Sequence, residues 1–308
     1  MNTIPNLTTN LGKLKLKNPV LVASGTFGYG EEYAELIDLN KLGGIITKAV
    51  TLKPKEGNPP PRLAETPSGL LNAIGLQNPG IEVFIQEKLP FLRKFDTKII
   101  VNIAGEEEKE YLQLTERLSR TKGIDALEVN ISCPNVEKGG LAFGTDPEVI
   151  YSLIKELRKT TDLPLIVKLT PNVADIREIA KAAEEGGADI LSLINTVLAI
   201  AIDVDAQRPK LSNTVGGLSG PAIRPIAVRM VWETFQTVNI PIIGMGGIMK
   251  SEDALEFILA GASAVAIGTA NFVDPQTPLK VIKGIREYLV KKRIDNFKGL
   301  IGGLKIPE

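Results

Sequence analysis

Seven polar side chains close short apolar runs in this chain: Lys48, Asn102, Asn130, Cys133, Lys168, Asn195 and Thr196. Each stands in the last few positions of a stretch dominated by Ile, Val, Leu and Ala. Any one of them could be a capped strand end, but several together point to a shared mouth. Amides offer a donor and an acceptor on one group, and lysines bring positive charge. A thiol, with an ordinary pKa of about 8.5, becomes a usable base near neutrality when positive charge lies close by. Cys133 is the chain's single cysteine and sits in Glu128-Val129-Asn130-Ile131-Ser132-Cys133-Pro134-Asn135-Val136. Lone cysteines are commonly inert buried hydrophobes. The place of Cys133 at a strand end, ahead of a segment holding Lys138-Gly139-Gly140, favours catalysis instead.

Lys168 ends Leu163-Pro164-Leu165-Ile166-Val167-Lys168. An ammonium buried without a partner costs several kcal/mol, so an inward Lys168 requires a polar or charged ligand, a reduced flavin being one. An outward lysine at the rim would need none. Two glycine segments, Gly244-Met245-Gly246-Gly247 and Ile267-Gly268-Thr269-Ala270, would let backbone amides approach a phosphate closely. FMN or another phosphorylated ligand fits them, although tight turns alone also use glycine. Ser251 is placed to cap the helix that follows, turning its positive end toward such an anion.

Those residues need elements to hold them. Eight apolar segments read as strands: Pro19–Gly25, Gly43–Val50, Lys98–Gly105, Ala126–Cys133, Leu163–Thr170, Ala188–Thr196, Ile240–Gly247 and Ala264–Asn271. Most are continuous in apolar residues rather than alternating, as strands covered on both faces require. Helical spacing recurs between them at Glu107–Arg120, Pro147–Lys159, Val173–Glu185, Ala222–Gln236 and Glu252–Leu259. Alternation of strand and helix throughout favours a closed α/β structure, a (β/α)8 TIM barrel spanning residues 1–308 as one domain. Two connections, Thr51–Pro79 and Val197–Pro221, are too long for turns. They follow the second and sixth strands and read as functional loops at the C-terminal face. Pro134–Thr145 reads as a lid.

Composition narrows the chemistry. Hydrophobic residues make up 44% of the 308 and charged residues 23%, enough for a large core. Lys plus Arg and Asp plus Glu both count 36, so no net field favours nucleic acid or an anionic membrane. One cysteine excludes an intramolecular disulfide or a four-cysteine cluster, and the absence of histidine removes the commonest zinc or iron ligand. A redox centre held by this chain must therefore be an organic cofactor. No apolar run reaches the ~18 residues of a spanning helix. Met1–Asn10 lacks a basic segment followed by a long apolar run, so a cytoplasmic location is expected.

Four motifs in order, Asn72-Ala73-Ile74-Gly75-Leu76-Gln77-Asn78, Asn130-Ile131-Ser132-Cys133-Pro134-Asn135, Gly217-Leu218-Ser219-Gly220 and Gly244-Met245-Gly246-Gly247, resemble the class 1 dihydroorotate dehydrogenases of pyrimidine biosynthesis. The resemblance runs from about Leu11 to Asp274. The Asn-Ala-Ile-Gly-Leu-Gln-Asn form is similar to the NAD-linked subclass 1B more than to the fumarate-linked 1A. It implies that Cys133 removes a proton from carbon 5 of dihydroorotate while FMN accepts hydride from carbon 6. It implies an FMN site of Ser24, Lys48, Ala49, Asn102, Asn130, Lys168, Ile194, Gly220, Gly246, Gly247, Gly268 and Thr269. Substrate would be held by Lys48, Asn72, Ala73, Ile74, Gly75, Leu76, Asn130, Asn195 and Thr196, with Lys48 facing the carboxylate. The NAD-linked subclass passes electrons through FAD and a [2Fe–2S] cluster. One cysteine and no histidine cannot ligate that cluster, so both groups are expected on a partner subunit, around a homodimeric core of a heterotetramer. Three readings compete: a fumarate-linked enzyme, an FMN barrel like that of dihydropyrimidine dehydrogenase, and a barrel that binds flavin without turnover.

Overall fold

The inward and outward positions of each strand are separated cleanly in the computed structural model, which describes residues 5–132 and 143–307. In Ala126–Asn130, Leu127 and Val129 join the large buried cluster shared with the helices. Ala126 belongs to a second cluster with Ile46, Ile100, Ile166, Ile190 and Ile243, which fills the barrel. Both faces are covered, as a parallel barrel strand requires, and the polar residues Glu128 and Asn130 lie on the same face as Ala126.

Eight parallel strands close the barrel: Val20–Val22, Gly44–Ile46, Lys98–Ile103, Ala126–Asn130, Leu165–Lys168, Ile190–Leu193, Ile242–Met245 and Ala264–Ile267. The eighth pairs with the first through Val265↔Val20, Ala266↔Leu21 and Ile267↔Val22. Each lies inside the segment anticipated for it, confirming the (β/α)8 expectation. An antiparallel hairpin, Thr9–Leu11 with Leu14–Leu16, adds Leu11, Leu14 and Leu16 to the interior cluster and closes the N-terminal end.

Helices form where caps permit them. Asp146 accepts from the Glu148 amide at 2.9 Å and starts Pro147–Thr160, with proline in the first turn. Asp175 does the same for Arg177 and starts Ile176–Gly186, three residues later than the expected Val173; Gly187, at φ 103°, ends it. Glu108–Ser119, Arg224–Phe235 and Ser251–Leu259 match the remaining expectations. Ser251 is the first helical residue rather than the cap. Instead the Asp253 carboxylate accepts from the amides of Met249 (2.9 Å) and Lys250 (3.1 Å), because a side chain two residues further on reaches back over them. The helical stretch from Ile81 to Leu92 and the helix Thr277–Lys292 were not among those expected. Strict alternation fails once: the first strand reaches the second without an α-helix, through the 3-10 turn Leu39–Lys41.

The two long connections are not open loops. Leu63–Thr66, Gly69–Asn72, Val197–Ala199 and Gly216–Ser219 form one antiparallel sheet, with Gly216–Ser219 between Val197–Ala199 and Gly69–Asn72. Each connection satisfies the other's backbone groups. Among the described residues, no helix is long and apolar enough to cross a membrane.

Candidate active site

A cleft of about 670 Å³ lies between the C-terminal ends of the barrel strands and this antiparallel sheet. Its walls include every described residue that the sequence assigned to the cofactor or the substrate. From the barrel come Ser24, Lys48, Ala49, Asn102, Asn130, Lys168, Ile194, Asn195 and Thr196. The antiparallel sheet and its connections supply Asn72, Ala73, Ile74, Gly75, Leu76 and Gly220, and the seventh and eighth strand ends supply Gly246, Gly247, Gly268 and Thr269. Cys133 and Lys138-Gly139-Gly140 lie outside the described residues. On either side of them, Ser132 lines the cleft and the Gly144 amide bonds to the Ile131 carbonyl at 2.7 Å.

Hydrogen bonds fix the polar walls. The Asn195 amide nitrogen donates to Ser132 Oγ at 2.8 Å while its Oδ1 accepts from the Thr196 amide at 2.9 Å. Asn72 Nδ2 donates to the Gly217 carbonyl at 3.1 Å, tying the motif at residues 72–78 to the neighbouring strand. Thr269 Oγ1 donates to Ser219 Oγ at 2.8 Å, and Tyr111 holds the end of the fourth strand by donating to the Asn130 carbonyl at 2.7 Å.

Lys168 points inward. It is only 5% exposed, and its ammonium donates to Ser24 Oγ at 2.9 Å, its one hydrogen bond among the described residues. The outward orientation is thereby excluded. A hydroxyl does not neutralise a buried cation, so the site favours an anionic or strongly accepting ligand. Lys48 is half-buried at the mouth. Burial first, and then the positive charge of Arg62, hold its pKa below the ordinary 10.5, with Glu32 opposing.

The glycines divide into two kinds. A Cβ on Gly246 would meet Ala227 Cβ at 2.9 Å, and one on Gly247 would meet the Gly220 carbonyl at 2.7 Å; both have positive φ. Packing and backbone conformation alone require glycine there. Gly268 is different: among the described residues, a Cβ would meet nothing closer than Ala23 Cβ at 3.8 Å. There the missing side chain widens the cleft, as a phosphorylated ligand would need. The Ser251–Leu259 helix contributes less than expected to an anion site, because the Asp253 carboxylate already stands at its N-terminal end, accepting from the Met249 and Lys250 amides just ahead of the helix and pairing with Arg224.

Several residues escaped sequence reading. Lys55 and Glu106 form an ion pair on the cleft wall. Beneath the wall, Glu128 is fully buried and accepts from Asn102 Nδ2 at 2.6 Å and from Ser192 Oγ at 2.8 Å. The signal for Glu128 was present: counting back two from Asn130 puts it on the same inner face.

The family model described as dihydroorotate dehydrogenase matches residues 6–289. Three proteins named dihydroorotate dehydrogenase B (NAD(+)), catalytic subunit, are similar over nearly the full chain. That of Thermoanaerobacter pseudethanolicus is 57% identical over 301 residues, covering 98% of this chain and 99% of its own length. That of Geotalea daltonii is 55% identical over 302 residues, with 98% and 99% covered. That of Desulforamulus reducens is 56% identical over 297 residues, with 96% and 98% covered. Since the matched region contains every segment that walls the cleft, the chain belongs to the dihydroorotate dehydrogenase family, among its NAD(+)-linked B-type catalytic subunits.

Proposed function

We propose that this cleft oxidises (S)-dihydroorotate to orotate, the redox step of pyrimidine synthesis, using one FMN per chain. The observation that carries the reading is Lys168: a buried ammonium with only the Ser24 hydroxyl for a partner among the described residues. The residues suit a flavin in two further respects. Among the described residues, a Cβ at Gly268 would meet nothing closer than 3.8 Å, and Asn102 Oδ1 is a buried acceptor without a partner. Ser24, Ala49, Asn102, Asn130, Lys168, Ile194, Gly220, Gly246, Gly247, Gly268 and Thr269 would hold FMN, with Lys48 at its edge. FMN, when bound, supplies the hydride acceptor for carbon 6 of dihydroorotate.

The chain's own residues do the rest. Cys133, as thiolate, takes the proton from carbon 5. Lys48 holds the carboxylate, and Asn72, Asn130, Asn195 and Thr196 meet the ring's alternating donors and acceptors. Residues 73–76 close the pocket over the substrate. Lys168 balances negative charge that develops on the cofactor side. Because a single cysteine and no histidine cannot ligate an iron–sulfur cluster, electrons leave through a partner subunit carrying FAD and [2Fe–2S], docked on a dimer of this chain in the cytoplasm.

The test is the absorption spectrum of the purified chain, recorded before and after anaerobic addition of dihydroorotate. A flavin spectrum that bleaches on addition is expected. A colourless chain that takes up no FMN would overturn the reading.

A further inference from the structure

Glu128 is a carboxylate in the barrel interior. It is fully buried in the layer beneath the cleft, and no Lys or Arg forms an ion pair with it among the described residues. An unpaired buried carboxylate costs several kcal/mol relative to an apolar side chain of the same size, so stability alone does not explain it. Its two oxygens are both engaged, Oε2 by Asn102 Nδ2 at 2.6 Å and Oε1 by Ser192 Oγ at 2.8 Å. Asn102 and Glu128 are direct cross-strand partners in the third and fourth strands, so the contact is built into the barrel register.

The consequence falls on Asn102, a residue of the cleft wall. An amide can sit two ways round, and neighbours decide which. A carboxylate only accepts, so Glu128 takes the NH2 group and the opposite orientation would set oxygen against oxygen at 2.6 Å. That leaves Asn102 Oδ1 as the unpaired atom, and it has no hydrogen-bond partner among the described residues. The geometry points to Glu128 as a positioning residue: it locks the Asn102 amide so that its carbonyl is offered to an N–H donor of the ligand in the cleft. A flavin carries such a donor, the imide N–H of its pyrimidine edge. This inference rests on the FMN reading above. Ser192 holds the other carboxylate oxygen and so keeps Glu128 in place.

FMN affinity of the flavin-free full chain, titrated by fluorescence, tests this apart from turnover. Glu128→Gln, which can donate as well as accept, frees the amide to turn. It is expected to weaken FMN binding about tenfold, the worth of one hydrogen bond, while leaving the melting temperature of the flavin-free chain unchanged or higher. The same substitution in an Asn102→Ala background is expected to change FMN affinity less than twofold. Asn102→Asp sets two carboxylates together and is expected to lose more. Combining it with Glu128→Gln reverses the hydrogen bond but still offers an oxygen to the cleft, and should recover FMN affinity to within about threefold of the parent. Unaltered FMN affinity in Glu128→Gln, an equal loss with and without Asn102, or no rescue in the swapped pair would each overturn the assignment. If Glu128→Gln does not fold, the swapped pair against Asn102→Asp decides alone. Failure of the parent chain itself to bind FMN would instead overturn the flavin reading.

Discussion

Lys48 and Lys168 carry the same charge in two settings. Lys168 lies under the cleft against a hydroxyl, whereas Lys48 stands at the mouth with its pKa lowered by burial and by Arg62. A carboxylate binds the ammonium and not the amine, so affinity for the substrate acid should fall as pH rises through a value below 10.5. Bound carboxylate pushes that pKa back up. Orotate binding to the FMN-loaded Cys133→Ala chain, measured against pH, checks this without interference from the thiol. A Lys48→Met control should bind weakly with no such alkaline limb, and a parent profile identical to the control would remove Lys48 from the site. Cys133→Ala itself should keep FMN but lose flavin reduction by roughly 10²–10⁴-fold, the usual worth of a general base. Cys133→Ser should keep a remnant that grows with pH; stopped-flow bleaching at the parent rate in the alanine variant would assign the proton to another group. At this scale the sequence was informative where polarity interrupts an apolar run at its end, as with Asn102, Asn130 and Lys168. Glu128, in mid-run, takes one further step: it reads as inward only by counting back two from Asn130 along the strand.

Among the elements, the barrel strands were legible and the antiparallel sheet above them was not. Barrel strands declare themselves locally through continuous Ile, Val and Leu. The sheet joins Asn72 to Gly217, 145 residues apart, and depends on glycine-rich segments with little strand propensity of their own. Its geometry nevertheless bears on the substrate. Gly217 pairs with Asn72 and accepts its side-chain amide, and a Cβ there would overlap Thr196, reaching its Cβ at 2.6 Å. Gly217→Ala must therefore displace Thr196, whose atoms are the three nearest to the new Cβ, and strain the strand whose carbonyl holds Asn72; Thr196 and Asn72 are both proposed substrate contacts. Over-packing of this kind costs about 1–3 kcal/mol. The expected outcome is a KM for dihydroorotate raised roughly tenfold with FMN content unchanged. Loss of FMN and substrate together would show that the sheet supports the whole cleft rather than its substrate side.

For the whole molecule, the open question is where electrons go after the flavin is reduced. The relatives are named as NAD(+)-linked catalytic subunits, and a catalytic subunit implies a second kind of subunit. The chain's inventory agrees with a division of labour: its single cysteine, already proposed as the base, and its lack of histidine leave nothing to ligate a [2Fe–2S] cluster. The strand-to-helix turns contain no Gly-x-Gly-x-x-Gly to receive a dinucleotide in the usual manner. In a fumarate-linked enzyme the acceptor would instead enter the substrate pocket once orotate has left. The two schemes separate in one experiment, in which the isolated chain, reduced by dihydroorotate, is offered NAD or fumarate. Slow oxidation by both is expected, with rapid NAD reduction restored by adding an iron–sulfur flavoprotein subunit. Rapid NAD reduction by the chain alone would overturn the need for a partner. Efficient fumarate reduction would show that the pocket itself accepts the oxidant, because an electron path through a separate subunit gives fumarate no access to the flavin.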